Sequence, residues 1–181
     1  MGAFCAHFYL GDFMKRTSRY IAHGALIAAM YATLCYAQNM LLPESTGMAV
    51  QLRVAEALCV LAFFTPAAIP GLAVGCAVFN LTFAAALPLD ALVGSLATLL
   101  ATGSMWLCRR VTVKGLPVLG LCMPALWNAL LVGWELAFYI GGGFLLNASL
   151  VAAGELLALF TLGWLLYGTL RRRGLHTRLF D

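Results

Sequence analysis

The chain has very little charge for its length. Of its 181 residues only 10% are Asp, Glu, Lys or Arg, whereas 63% are hydrophobic, and the mean hydropathy is +0.93. No segment with the composition of a soluble domain remains once the apolar runs are set aside. These runs are long enough to cross about 30 Å of hydrocarbon. The composition therefore predicts an all-α integral membrane protein.

Several signatures of catalysis and cofactor binding are also missing. The sequence contains no H-E-x-x-H, no G-x-S-x-G and no phosphate-cradling G-x-x-x-x-G-K-[ST]. Its six cysteines show neither close pairs nor the spacing of metal ligands. We therefore expect no enzyme activity, no cofactor, no metal and no disulfide framework. Without a phosphate-cradling loop the chain cannot hydrolyse nucleotide by that route, so energy for transport against a gradient would come from elsewhere.

The apolar runs divide at charges, prolines and glycine clusters into six predicted transmembrane helices. The second is short and is followed by Thr65 and Pro66, so it either tilts or continues through the proline as a kink. An N-terminal extension at 1–14, for which disorder is one interpretation, and a tail at 174–181 flank a membrane domain at 15–173. The predicted spans are residues 20–42, 51–65, 67–87, 89–108, 116–139 and 144–170.

The basic residues fall into three groups. With six spans and a cytoplasmic amino terminus, all three lie on the same side, as the positive-inside rule requires. Both termini are then cytoplasmic, in a multi-pass protein of a cell membrane that we expect to be bacterial. The formal charge of +4 reflects this topology and gives no reason to expect nucleic-acid binding. The groups are Lys15, Arg16 and Arg19 before the first span, Arg109, Arg110 and Lys114 after the fourth, and Arg171, Arg172, Arg173 and Arg178 after the sixth.

Four of the seven acidic residues lie in or beside the apolar runs. An ionised group costs roughly 2.5 to 3.5 kcal/mol or more at the bilayer centre, so such residues mark candidate functional sites. Glu135 and Glu155 have no basic partner nearby in sequence, which favours ligand binding. Asp90 is a candidate helix cap. Glu56 lies three residues after Arg53, and the two either pair with each other or contact ligand.

The predicted topology converts position into depth. Asn128 and Glu155 each lie about eleven residues inside the outer end of a helix, roughly 16 Å deep at 1.5 Å per residue, so they should be neighbours. Asn80 lies in the outer half of the third span, where it either bridges helices or contacts ligand. These positions predict a polar site open to the outside.

The fifth span carries polar and aromatic residues at a common interval. Asn128 and Glu135 are seven residues apart and share one face. Trp127 and Trp134 repeat that interval on the adjacent stripe. They either stack on a ligand or serve as a packing residue and an interfacial-belt residue.

The first span carries small residues at helical spacing. Ala25 and Ala29 form one pair and Ala28 and Ala32 another, which leaves a smooth strip where a second helix can approach closely. This strip is the candidate partner-binding surface.

Four segments resemble those of the QueT family, and the similarity runs from about residue 15 to residue 173. They are QLRVAEAL at 51–58, FTPAAIPGL at 64–72, GSLATLL at 94–100 and NALLVGWEL at 128–136. The resemblance implies an S component, the substrate-binding membrane subunit of an energy-coupling factor transporter, with a six-helix bundle. It also implies that an alanine-rich first helix contacts a membrane T component, which couples to two ATPases.

The family is assigned to salvage of queuosine precursors, which implies queuine or a related 7-deazaguanine as ligand. A carboxylate such as Glu135 or Glu155 could accept the N1–H and exocyclic amine of its guanine-like edge together. Asn128, Asn80 or Arg53 could donate to O6, Trp127 or Trp134 could stack on the ring, and Glu56 could meet an ammonium group. Two alternatives stay open: an S component for another flat vitamin, and a stand-alone transporter that uses Glu155 as a proton site.

Overall fold

A computed structural model describes residues 2–42, 53–83, 86–113 and 116–174, with side chains from residue 16 onward. Within these ranges the chain is helical and has no strand apart from a single bridge between Val113 and Leu116. The tail at 175–181, Lys114, Arg178 and the first two residues of the second predicted span lie outside the described residues. The all-helical architecture confirms the predicted fold class.

The helices follow the predicted spans closely. The helix α1 also includes the backbone of residues 2–14, which sequence analysis set apart as an extension; the domain bounds themselves stay predictions. A π-helical turn joins α5 to α6, so these three pieces form one rod. The elements are α1 (Gly2–Leu41), a 3-10 helix (Val54–Phe63), α2 (Ala68–Thr82), α3 (Asp90–Cys108), α4 (Val118–Tyr139), α5 (Phe144–Ala158), the π turn (Leu159–Gly163) and α6 (Trp164–Arg172).

Four helical stretches are long and apolar enough to cross a membrane: Arg16–Leu41, Asp90–Cys108, Val118–Tyr139 and Phe144–Arg172. The 3-10 helix and α2 are apolar but shorter. The prediction of an all-α, multi-pass membrane protein is thus confirmed. The count of six crossings stays a prediction that depends on the two shorter helices.

The 3-10 helix occupies the centre of the bundle. Its residues from Ala55 to Phe63 are all buried, and it contacts every other helix. Ten residues at about 2.0 Å of rise span about 20 Å, against about 15 Å for an α-helix of that length. The 3-10 helix ends at Phe63, and it does not continue through Thr65 because the following proline disfavours a helical conformation there. The short second span therefore extends further than an α-helix would.

Helix α1 packs against α2 through residues that lack side-chain bulk. A Cβ on Gly71 would lie 2.6 Å from the carbonyl oxygen of Gly24, and one on Gly75 would lie 2.7 Å from that of Ala28. The second contact lies four residues further along the chain than the first in both helices, so α1 and α2 run parallel. By contrast, α4 and α5 run antiparallel. A Cβ on Gly133 would lie 2.7 Å from Ala148 Cα, whereas Asn128, earlier on α4, bonds Glu155, later on α5.

One end of the bundle collects the basic residues. Tyr20 donates to the carbonyl oxygen of Pro66 at 3.3 Å, which brings the start of α1 to the start of α2. The Phe63 ring contacts Tyr167 near the end of α6 and lies against Gly120 at the start of α4. The described members of the three basic groups flank these contacts. They are Arg16, Arg19, Arg109, Arg110, Arg171, Arg172 and Arg173, and we refer to this end as the basic end.

Candidate functional site

A set of buried polar side chains lies away from the basic end, between the 3-10 helix, α4 and α5. Most are less than one-tenth exposed, although the surroundings are apolar. We name this set the polar cluster, and its members are Arg53, Glu56, Asp90, Asn128, Glu135 and Glu155. Asp90 is partly exposed, and the others are buried.

Glu56 is fully engaged by the protein. Its Oε1 accepts a hydrogen bond of 2.5 Å from the Tyr31 hydroxyl of α1, and its Oε2 accepts one of 3.1 Å from the Cys59 thiol. Cys59 follows Glu56 by three residues, the repeat of a 3-10 helix. Both oxygens are therefore used by the protein. A direct contact of Glu56 with an ammonium group is not supported by this geometry.

Glu155 is half engaged. The Asn128 side-chain amide donates to its Oε1 at 2.9 Å, which joins α4 to α5 and makes these two residues the neighbours that the sequence predicted. Its Oε2 is buried and has no hydrogen-bond partner. Glu155 is only 2% exposed, so water does not compensate this oxygen.

Glu135 has no partner at either oxygen. Its side chain is fully buried, and neither Oε1 nor Oε2 accepts a hydrogen bond. Asp90 lies close enough for the two carboxyl groups to interact electrostatically, and close enough for a hydrogen bond between them when one of the two is protonated. A buried carboxylate without partners is costly, and in a folded protein such a group calls for a functional explanation.

Arg53 links the two halves of the polar cluster. Its guanidinium is close enough to act electrostatically on both Glu135 and Glu155, while Glu155 also experiences the charge of Glu56. The Nε of Arg53 is buried without a hydrogen-bond partner. The structure thus brings together Arg53, Glu56, Asn128, Glu135 and Glu155, all of which the sequence predicted as site residues.

Two polar residues near the start of α3, Asn80 and Asp90, bond to the backbone there. Asn80 donates from Nδ2 to the carbonyl oxygen of Asp90 at 2.9 Å, which ties α2 to the start of α3. Asp90, the first residue of α3, accepts at Oδ2 a 2.7 Å hydrogen bond from the Leu87 backbone N–H in the turn before the helix. Asn80 therefore bridges two helices, the structural alternative considered for it. The prediction that Asp90 caps α3 is wrong, because Leu89 occupies the N-cap position and the Asp90 side chain bonds the preceding turn instead.

The two tryptophans of α4 are in different environments. Trp127 is half-buried and its Nε1 donates to Ser104 of α3 at 3.0 Å. Trp134 is 51% exposed and stacks on Phe138, on the outer surface of the bundle. The structure does not bring Trp134 into the polar cluster, because its position on the helix faces away from the buried side chain of Glu135.

The alanines of α1 separate into two faces. Ala32 is buried and Ala28 is half-buried against Gly75 of α2. Ala25 and Ala29 are exposed, and we name them the outward alanines. The small-residue strip therefore serves α2 on one side and remains open on the other.

Sequence analysis missed two residues beside the site. Tyr31 is completely buried, and a buried tyrosine hydroxyl needs a hydrogen-bond partner, which was the available signal. Gln38 accepts at Oε1 a 2.7 Å hydrogen bond from the Val54 backbone N–H at the start of the 3-10 helix. Both side chains position the 3-10 helix from α1.

The unpartnered atoms of the polar cluster indicate what kind of ligand it can bind. Among the described residues no three His, Cys, Asp or Glu side chains are grouped so as to hold a metal ion. The unpartnered atoms are three carboxylate oxygens, on Glu135 and Glu155, and the Nε of Arg53. Such a set can bind a ligand that offers several donors and one acceptor.

Comparison with known proteins agrees with the resemblance found in the sequence. A family model described as QueT transporter matches residues 21–172, which includes every described helix from α2 to α6 and most of α1. No curated protein and no solved structure matches the chain. An apolar helical bundle with a buried polar cluster is consistent with a membrane transporter. Because the family match covers most of its length, the chain belongs to the QueT transporter family.

Proposed function

We propose that this protein is the S component of an energy-coupling factor transporter that binds a queuosine precursor, queuine or a related 7-deazaguanine. The observation that carries the proposal is Glu135, a fully buried carboxylate with both oxygens unpartnered in a QueT-family chain. A guanine-like edge presents two adjacent donors, and a carboxylate with two free oxygens accepts both. The ligand would thus supply hydrogen bonds to both carboxylate oxygens of Glu135.

Other members of the polar cluster complement the rest of the ring. The unpartnered Nε of Arg53 is a donor for the O6 acceptor. Asn128 is occupied by Glu155, so it positions that carboxylate rather than binding O6 directly. The half-buried ring of Trp127 is the better placed of the two tryptophans for stacking.

Uptake against a gradient would need partner subunits. The chain has no phosphate-cradling loop, so the proposal assigns ATP hydrolysis to two ATPase subunits and their coupling to a membrane T component. The outward alanines of α1 leave a shallow surface on which a helix of the T component can pack closely. With the basic end in the cytoplasm, as the positive-inside rule favours, the polar cluster faces outward.

The test is ligand binding by the purified protein. We expect queuine or its aminomethyl precursor to bind, and Glu135→Gln to weaken binding about 10- to 100-fold, because one oxygen of the bidentate acceptor becomes a donor. Trp134→Leu, one residue away but on the outer surface, is the matched control and should bind normally.

Two results would contradict the proposal. Binding of riboflavin, thiamin or biotin in competition, with no binding of a 7-deazaguanine, would favour an S component for another vitamin. Uptake driven by a proton gradient in vesicles without any ATPase partner would favour a stand-alone transporter.

A further inference from the structure

The hydrogen-bonding states of Glu135 and Glu155 divide their roles. Glu135 offers two free oxygens, whereas Glu155 offers one, because Asn128 holds the other at 2.9 Å. A planar pair of donors needs both oxygens of one carboxylate, so it fits Glu135 alone. The single free oxygen of Glu155 suits an isolated donor elsewhere on the ligand.

The charge of the polar cluster specifies that donor further. Ten of the eleven Lys and Arg residues belong to the three basic groups, which leaves Arg53 as the cation of the cluster. Three buried carboxylates, on Glu56, Glu135 and Glu155, face this one guanidinium, so the buried groups carry a formal charge of −2 before the partly exposed Asp90 is counted. Buried charge without compensation is expensive, and a ligand cation would reduce that expense.

The position of Glu56 strengthens the requirement for a cation near Glu155. Its charge acts on Glu155, yet both its oxygens are occupied by Tyr31 and Cys59. Glu56 therefore adds negative potential beside the free Oε2 of Glu155 without competing for a donor.

We propose that Glu155 is a specificity-determining residue that binds a protonated amine of the ligand, while Glu135 binds the ring edge. This inference rests on the proposed function and names which precursors the site prefers. A 7-deazaguanine with a cationic side arm is then favoured over a neutral analogue of the same ring.

The experiment compares the aminomethyl and cyano forms of 7-deazaguanine, which share the ring but differ in charge. Binding to purified full-length protein should favour the aminomethyl form by about 10- to 100-fold, the range of one charge-assisted hydrogen bond. Glu155→Gln should reduce that ratio to near one through weaker binding of the amine. Glu155→Asp keeps the charge and should retain the preference. Glu135→Gln should weaken both ligands by the same factor.

Each alternative outcome has a distinct meaning. Equal binding of both forms by the wild-type protein, or a preference that persists in Glu155→Gln, would overturn the role of Glu155 and leave the proposed function intact. Failure of both forms to bind would instead contradict the proposed function. Retained binding of the cyano form by Glu155→Gln shows that this variant is folded. If that variant does not fold, the wild-type ratio and Glu155→Asp decide the question.

Discussion

Glu56 and Glu135 share apolar surroundings but have opposite hydrogen-bonding states. The oxygens of Glu56 accept from Tyr31 and Cys59, whereas those of Glu135 accept from nothing in the protein. The difference arises from position, because Glu56 faces the Tyr31 hydroxyl of α1 whereas the nearest polar neighbour of Glu135 is another carboxyl group, that of Asp90. A buried carboxylate is therefore a candidate binding residue only when its oxygens receive no hydrogen bonds from the protein.

The Tyr31 hydroxyl should contribute to the stability of the bundle. Tyr31→Phe removes the donor to Glu56 and leaves a buried carboxylate oxygen unpaired, so we expect a loss of about 1–3 kcal/mol. Thermal unfolding of the purified protein in detergent measures the loss. Tyr139→Phe removes a hydroxyl from a more exposed ring and is the matched control. Equal melting temperatures for the two variants would refute the role assigned to Tyr31.

Part of the site was predictable residue by residue. Depth counting placed Asn128 beside Glu155, and the structure joins them. The occupation of Glu56 by Tyr31 was not predictable, because it depends on how α1 and the 3-10 helix face each other. The exposure of Trp134 likewise depends on the rotation of α4, which a seven-residue spacing does not fix.

At the scale of elements, α1 presents two faces with different tasks. One face packs against Gly71 and Gly75 of α2, and the adjoining exposed face carries the outward alanines. Sequence spacing found the small residues but could not separate the faces. The 3-10 conformation was also beyond sequence reasoning, because a segment buried on all sides has no amphipathic period to read.

The two faces predict different behaviour for bulky substitutions on α1. Ala29→Leu adds bulk to an exposed position, so we expect normal folding and ligand binding but loss of association with the T component. Co-purification of the co-expressed subunits measures the association. Ala153→Leu places the same bulk on an exposed position of α5 and should leave association unchanged. Normal association of the Ala29→Leu protein would show that α1 is not the contact.

At the scale of the whole molecule, the basic groups and the polar cluster occupy opposite regions of one bundle. The basic residues predicted this arrangement from sequence alone through the positive-inside rule. Packing contacts now bring the described groups to a single end. What sequence could not supply is the length of the two shorter helices, which decides how they meet the membrane.

The proposed orientation can be tested with a matched pair of exposed cysteines. Val111→Cys lies at the basic end, and Ile140→Cys lies just beyond the opposite end of α4. A membrane-impermeant maleimide applied to intact cells should label Ile140→Cys but label Val111→Cys only after lysis. The wild-type chain gives the background from its native cysteines. The reverse pattern would invert the topology and make the polar cluster face the cytoplasm.

The glycine contacts between α1 and α2 have a mechanical consequence. The backbones of α1 and α2 are in direct contact at Gly24 and Gly71. No side chains lie between them there whose rearrangement could let α1 move relative to α2. Because the helices run parallel, a load applied along α1 passes into α2 and reaches the Asn80 bridge at the start of α3. A partner that binds the outward alanines and displaces α1 would therefore also displace the start of α3, where Asp90 of the polar cluster lies.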